Sequence, residues 1–296
     1  MQFGLMAMQL GALIPTELAP EEMLDYVTGF HQAELVRALH RQGFSLIELG
    51  GDLAMFMPQT FAPSQVGALR ALRDELGLTY TVHLPLWSVE PSTPLRSVRE
   101  GSVRALVDCI MATQPLDPQV YVLHATGALA SEFSAMALPA VGKGLILRQF
   151  QQAAMQSLQM ILATTGLPSR RLAIETVEFP LDLTLEMAEA LDLSVCLDVG
   201  HVLSGFSGPF DLLEAVDLMG DRLAEIHLHD ARRPPSPDAV VYGRDHQPLG
   251  TGDLDVGEFL DTVVAAGFDG PVIFELKVEE ARASLNVVRR VRPGLV

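Results

Sequence analysis

Short apolar runs rich in branched residues alternate with longer stretches of helical period along this 296-residue chain, and few folds can absorb that rhythm. A brief apolar run bounded by turn signals reads as a buried strand, whereas apolar residues recurring every three or four positions read as one face of a helix. The strand candidates are Phe3–Met8, Ser45–Leu49, Thr79–His83, Val120–His124, Leu172–Glu175, Ser194–Asp198, Leu223–His229 and Val272–Glu275. Between and after them lie helix candidates at Glu21–Arg41, Pro63–Leu76, Leu95–Met111, Leu145–Thr164, Leu183–Ala190, Pro209–Met219, Val256–Ala266 and Glu279–Arg290. Pro63, Thr93–Pro94 and Asp182 supply plausible helix starts. Strands alternating with helices imply a parallel sheet, and eight of each predict an α/β fold, a single (β/α)8 TIM barrel occupying residues 1–296 as one domain. An open doubly wound sheet would call for a glycine-rich phosphate loop after the first strand, and Gln9–Leu13 contains one glycine. A long loop, 231–254, follows the seventh strand; loops of that length in compact domains tend to be lids or binding segments.

The composition narrows the partners. Hydrophobic residues make up 49% of the chain and charged ones 19%, which supports a large core and argues against disorder. The formal net charge of −17 disfavours nucleic acid and anionic membrane surfaces, whose binding is built from Lys and Arg. A small-molecule substrate is the expected partner, and the oligomeric state is left open. The two cysteines, Cys109 and Cys196, fall in a predicted helix and a predicted buried strand, which fits a reducing cytoplasm. The N-terminal run lacks the basic start of a secretory signal and is too short to span a bilayer.

The catalytic face of such a barrel forms at the C-terminal ends of its strands, and that is where the polar residues gather. Glu48, His83, His124, Glu175, Asp198 and His201, His227, His229 and Asp230, and Glu275 follow successive predicted strands, with His246 in the long loop. A lone histidine near a strand end is more often a hydrogen-bonded structural residue than a ligand. Here six of the eight histidines share one address; only His31 and His40, on the first helix, do not. Converging carboxylates would repel one another unless cations compensated, and mixed imidazole–carboxylate donors suit Zn²⁺, Mn²⁺ or Fe²⁺. Strand periodicity turns His227 and His229 to the same inward face.

The words His83–Leu84–Pro85, Leu123–His124–Ala125, Ile174–Glu175–Thr176, Asp198–Val199–Gly200–His201, Ile226–His227–Leu228–His229–Asp230, Asp245–His246–Gln247–Pro248–Leu249–Gly250 and Phe274–Glu275–Leu276–Lys277 resemble the xylose-isomerase-like barrel superfamily. The spacing is most similar to its endonuclease IV branch, AP endonuclease family 2. The resemblance implies divalent metal, one to three ions per chain with Zn or Mn favoured. One ion would fall on Glu175, Asp198, His227 and Glu275, and His83, His124, His201 and His246 would extend the set to a cluster. The family places an Asp two residues before the loop histidine; here that position is Arg244, with Asp245 as a substitute. A multi-ion centre suits phosphoester cleavage, so the expected activity is a metal-dependent phosphodiesterase-type hydrolase acting on a small molecule. Glu175–Pro180 and His83–Trp87 are also similar to the cobamide-remodelling phosphodiesterases, which implies a corrinoid nucleotide loop as substrate. Glu175, Glu275, His229 and Asp230 are the expected catalytic groups, and Glu48, Trp87 and Arg244 the expected substrate contacts. Two other readings stand beside this one. The first is a sugar or sugar-acid isomerase or epimerase in which Glu175 and Glu275 flank one Mn²⁺ or Mg²⁺ as an acid–base pair. The second is a barrel that binds ligand without turnover.

Overall fold

The structure is a computed structural model that describes residues 1–6, 19–236 and 239–296. Eight parallel strands close on themselves in sequence order, as the alternation predicts: β1 (Gln2–Leu5), β2 (Leu46–Gly50), β3 (Thr79–His83), β4 (Tyr121–Leu123), β5 (Leu172–Glu175), β6 (Ser194–Asp198), β7 (Leu223–His227) and β8 (Pro271–Phe274). Closure is made where β1 meets β8, with Gly4 paired to Ile273 on one side and to Leu46 on the other. A side chain at Gly4 would place its Cβ 2.7 Å from the Leu46 carbonyl oxygen, so the seam needs glycine for close approach rather than for its dihedral freedom. The expected first strand ran to Met8; positions 7 and 8, like Gln9–Leu13, lie outside the described residues.

The apolar residues sort into two environments. One large cluster joins the outer faces of the strands, such as Ile47, Tyr80, Tyr121, Ile174 and Leu197, to the inner faces of the helices. A second, of Val120, Val122, Ala173 and Cys196, fills the barrel interior below the polar strand ends. Cys196 and Cys109 are both buried and free. No helix among the described residues is long and apolar enough to cross a membrane.

The segment Glu21–Arg41, expected as one helix, is two, Pro20–Thr28 and Gln32–Arg41. Gly29 ends the first and an extended His31 opens the second. The backbone groups freed by the break are met by Gln65, whose Nε2 donates to the Phe30 carbonyl while its Oε1 accepts the Gln32 amide. Helical periodicity cannot register an interruption that a distant side chain stabilises. Helices at Ala128–Ala135 and Val199–Leu203 were not expected either. The second is a single turn begun by Asp198, whose carboxylate accepts the His201 amide at 2.6 Å, a side-chain cap at its N-terminus. Among its described residues the 231–254 loop contains no helix or strand; an isolated antiparallel bridge between Asp230 and Gln247 pins its return.

Candidate metal centre

Parallel strands that end at one level deliver their last inward side chains to one cavity. Glu175 lies at its middle: Oε2 is 3.0 Å from His83 Nε2 and 3.1 Å from His124 Nε2, and Oε1 is 3.5 Å from Nδ1 of both His201 and His227. Glu275, just past β8, sets Oε1 3.4 Å from His227 Nδ1 and Oε2 3.2 Å from His246 Nε2. Asp198 Oδ2 lies 2.9 Å from His229 Nε2 and 3.9 Å from His227 Nδ1. Glu175, Asp198, His227 and Glu275 each offer one donor atom, all four within 4.8 Å of one another. That spacing suits donors around one cation, since ligands each about 2.1 Å from a divalent ion stand roughly 3–4 Å apart.

The donors also show what they lack. His227 is fully buried, yet neither ring nitrogen has a hydrogen-bond partner among the described residues. His83 Nδ1 faces the Leu84 carbonyl at 2.9 Å, so its proton sits there and a neutral ring turns its Nε2 lone pair on Glu175. Two acceptors at that distance repel unless a positive species lies with them. In the protein alone that species is a proton: burial lowers the affinity of His83 for it, but Glu175 holds the imidazole up to about 9. Likewise burial is outweighed at His246, where Asp245 and Glu275 raise it to about 11. Glu275 itself, pushed up by burial, is drawn down by His227 and His246 to about 2. Charged imidazoles thus balance ionised carboxylates, and a divalent cation supplies the same compensation through lone pairs that already converge. The residues present therefore fit a metal ion.

Further residues complete the frame. His201 presents Nδ1 to the Thr176 carbonyl at 2.9 Å and groups with Asp245 and His246 as a second metal-capable set. Asp245, not Arg244, is the carboxylate of the loop that faces these rings, 2.9 Å from His246 Nδ1. His246 has a left-handed backbone, φ 52°, uncommon for a residue other than glycine. Its amide donates to His229 Nδ1 at 2.9 Å, which leaves the His229 ring proton on Nε2, directed at Asp198. His229 therefore orients a carboxylate.

Asp230, expected to relay protons, turns away from the cavity. Oδ1 accepts the amides of Ala231 and Leu254, and Oδ2 those of Gly250 and Gly252, so its carboxylate clamps both ends of the loop that carries His246. Glu48 is buried, whereas Trp87 is 57% exposed and meets Phe56 edge-on. Both line a cavity beside His83 with Leu49, Asp52 and Phe56. Arg244 is exposed and does not line that cavity. Sequence reading missed Glu225, a fully buried carboxylate on β7. Period two was the available signal, because Glu225 precedes His227 by two residues on the same inward face. Burial and the nearby Glu48 push it well above the ordinary carboxylate value.

The glycine of the Asp198–His201 turn is dictated by this packing: a Cβ on Gly200 would lie 2.1 Å from His229 Cε1. Gly200→Ala is expected to destabilise the fold by about 1–3 kcal/mol through overpacking, measured as a lowered urea midpoint at unchanged slope.

A closed parallel barrel whose strand ends gather imidazoles and carboxylates around a metal-capable centre defines the class of protein. The particular family follows from comparison. Residues 36–291 match the xylose isomerase-like TIM barrel family, and the chain belongs to it. It is similar to an uncharacterized protein of Methanocaldococcus jannaschii, 22% identical over 231 residues covering 77% of this chain and 75% of that one. Among solved structures, a D-tagatose 3-epimerase-like protein aligns with a TM-score of 0.70 at 18% identity, covering 100% of this chain and 98% of the other. D-psicose 3-epimerase from Clostridium cellulolyticum aligns with 0.68 at 14%, covering 98% and 99%. The 3-keto-D-glucoside 4-epimerase of E. coli aligns with 0.66 at 17%, also covering 98% and 99%.

These findings correct the expected branch and activity. The three whole-chain structural matches just given are to proteins named as sugar epimerases or epimerase-like, and they overturn the endonuclease IV branch and, with it, the hydrolase reading. Its physical premise was that four additional histidines had no use in a one-metal enzyme. The geometry offers them another use, although His83, His124 and Glu175 also stand close enough to share a cation: His83 and His124 face Glu175, His246 faces Glu275, and His201 Nδ1 faces the Thr176 carbonyl.

Proposed function

We propose that the chain is a divalent-metal-dependent epimerase or isomerase of a small sugar or sugar acid. One observation carries this reading: two ionisable carboxylates, Glu175 and Glu275, flank a buried imidazole that has no hydrogen-bond partner on either nitrogen among the described residues. The solved structures named as sugar epimerases support it through their fold.

Glu175, Asp198, His227 and Glu275 would hold the ion. When bound, it would polarise the oxygens of a hydroxy-carbonyl and offset the negative charge of three carboxylates. The residues of the chain supply the remainder. Epimerisation requires a proton to leave carbon beside a carbonyl and return from the other side; isomerisation returns it to the neighbouring carbon. Glu175 ends β5 and Glu275 follows β8, strands three apart around the barrel, so one carboxylate can serve each face. His83 and His124 fix the orientation of Glu175, and His246 that of Glu275, through hydrogen bonds to the second oxygen of each. His229 holds Asp198, and Asp230 secures the loop. Three carboxylates with one imidazole favour Mn²⁺ over the softer-ligand preference of Zn²⁺. A reducing cytoplasm suits the two free cysteines.

The test is proton exchange with solvent. With Mn²⁺ in D₂O and a panel of ketopentoses, ketohexoses and keto-sugar acids, deuterium is expected at the carbon beside the carbonyl of at least one member, read by NMR. Elemental analysis is expected to find about one ion per chain, the stoichiometry of a single quartet of donors. A metal-loaded protein that exchanges no carbon-bound proton in any of them would overturn the proposal.

A further inference from the structure

Beneath the quartet, and sharing His227 with it, lies a second group whose carboxylates the proposed reaction does not use. Glu48, Glu225 and His227 approach within 4.8 Å of one another, all three buried. Among the described residues, both carboxylate oxygens of Glu48 and both of Glu225 have no hydrogen-bond partner. His227 stands between the two groups. Its Nδ1 faces Glu175, Glu275 and Asp198 at 3.5, 3.4 and 3.9 Å, and its Nε2 faces Glu48 Oε2 at 3.4 Å. A neutral imidazole carries one lone pair and one N–H. It can therefore ligate a cation on one side only and must present a proton to the other, so the lower group is poorly suited to a second ion bound through the same ring.

We propose that Glu48 is the positioning residue of His227: its Oε2 stands 3.4 Å from Nε2, short of hydrogen-bond geometry in the metal-free chain, and would accept the Nε2–H when an ion takes Nδ1, fixing the tautomer whose Nδ1 lone pair is turned on that ion. Glu48 had been expected to contact substrate. Its burial and its place against the inner nitrogen of His227 assign it instead to the support of a ligand. Metal-binding imidazoles commonly donate their second ring proton to a carboxylate, which orients the ring and raises its basicity. Glu225, two residues before His227 on the same face of β7, is fully buried and lies within 4.8 Å of both Glu48 and His227. The inference rests on the proposed metal centre, with the ion itself bound elsewhere on the ring.

Metal affinity in the absence of substrate tests it. Calorimetric titration of the full-length protein with Mn²⁺ would be compared for wild type, Glu48→Leu and Glu48→Gln. Leucine accepts no hydrogen bond, and its affinity is expected to fall about 10–100-fold, the usual effect of losing such a partner. Glutamine keeps an acceptor oxygen and is expected to restore affinity to within a few-fold of wild type, since it removes charge but not the hydrogen bond. The melting temperature of each metal-free variant, measured alongside, separates weak binding by a folded protein from misfolding. Nitrogen-15 spectra of histidine-labelled protein should show the His227 proton on Nε2 in wild type and a mixture of tautomers in the leucine variant. Unchanged affinity in both variants, or an equal loss in both, overturns the inference alone. A wild type that binds no divalent ion overturns it together with the proposed function.

Discussion

Glutamine at position 175 is expected to lower kcat by about three to four orders of magnitude, the upper part of the range for loss of a general acid or base. Glu175 touches four imidazoles, His83, His124, His201 and His227, and glutamine preserves its size while removing its charge and its ability to take up a proton. Glu275→Gln is expected to fall as steeply in net epimerisation, but the two variants should differ in what survives. If each carboxylate serves one face, Glu275→Gln retains Glu175 and should still exchange the proton of one epimer with solvent without producing the other. Glu175→Gln should show the mirror pattern, washing deuterium only into the opposite epimer. Both are read by NMR in D₂O at saturating Mn²⁺, with bound metal measured in parallel. Equal residual exchange into both epimers in either variant would show that one carboxylate handles both faces, and the assignment of one to each would fail.

The second large effect is expected from Asp230→Ala. That substitution leaves the amides of Ala231, Gly250, Gly252 and Leu254 without their common acceptor. Removing one member of a buried charge-assisted network costs about 3–5 kcal/mol, and here the damage should be local before it is global. The loop is expected to become sensitive to trypsin at Arg232 and Arg244 while the barrel resists. Activity should fall with it, because the loop brings His246 to Glu275 at 3.2 Å. The melting temperature and the time course of limited proteolysis check both parts. A loop as resistant as wild type would show that the bridge to Gln247 and the Arg232–Asp253 ion pair suffice to hold it.

Much of this architecture could be read before any coordinates. Strand-and-helix alternation is a local signal repeated eight times, so errors at single boundaries, such as β7 ending at His227 rather than His229, left the topology intact. The convergence of polar residues was legible for the same reason: in a parallel barrel, position at a strand end is also position in space. What was not legible depends on side-chain direction. Asp230 and Asp245 are both acids beside histidines, yet one is spent on backbone amides and the other faces two rings; residue type cannot separate them. The number and use of histidines suffered likewise. Counting them suggested one to three ions; the contacts bring them to a few carboxylates in several metal-capable groupings, which a count of residues cannot rank. The interrupted first helix was hidden because its stabiliser, Gln65, is 33 residues beyond the Gln32 amide it binds.

The left-handed backbone at His246 has a bearing on how the ring should be removed. Asparagine visits that region more readily than most side chains, whereas alanine there adds torsional strain to whatever the lost imidazole does. Asparagine is consequently the cleaner deletion: a defect it shares with alanine belongs to the missing ring, and a defect confined to alanine belongs to a chain that has lost its bend.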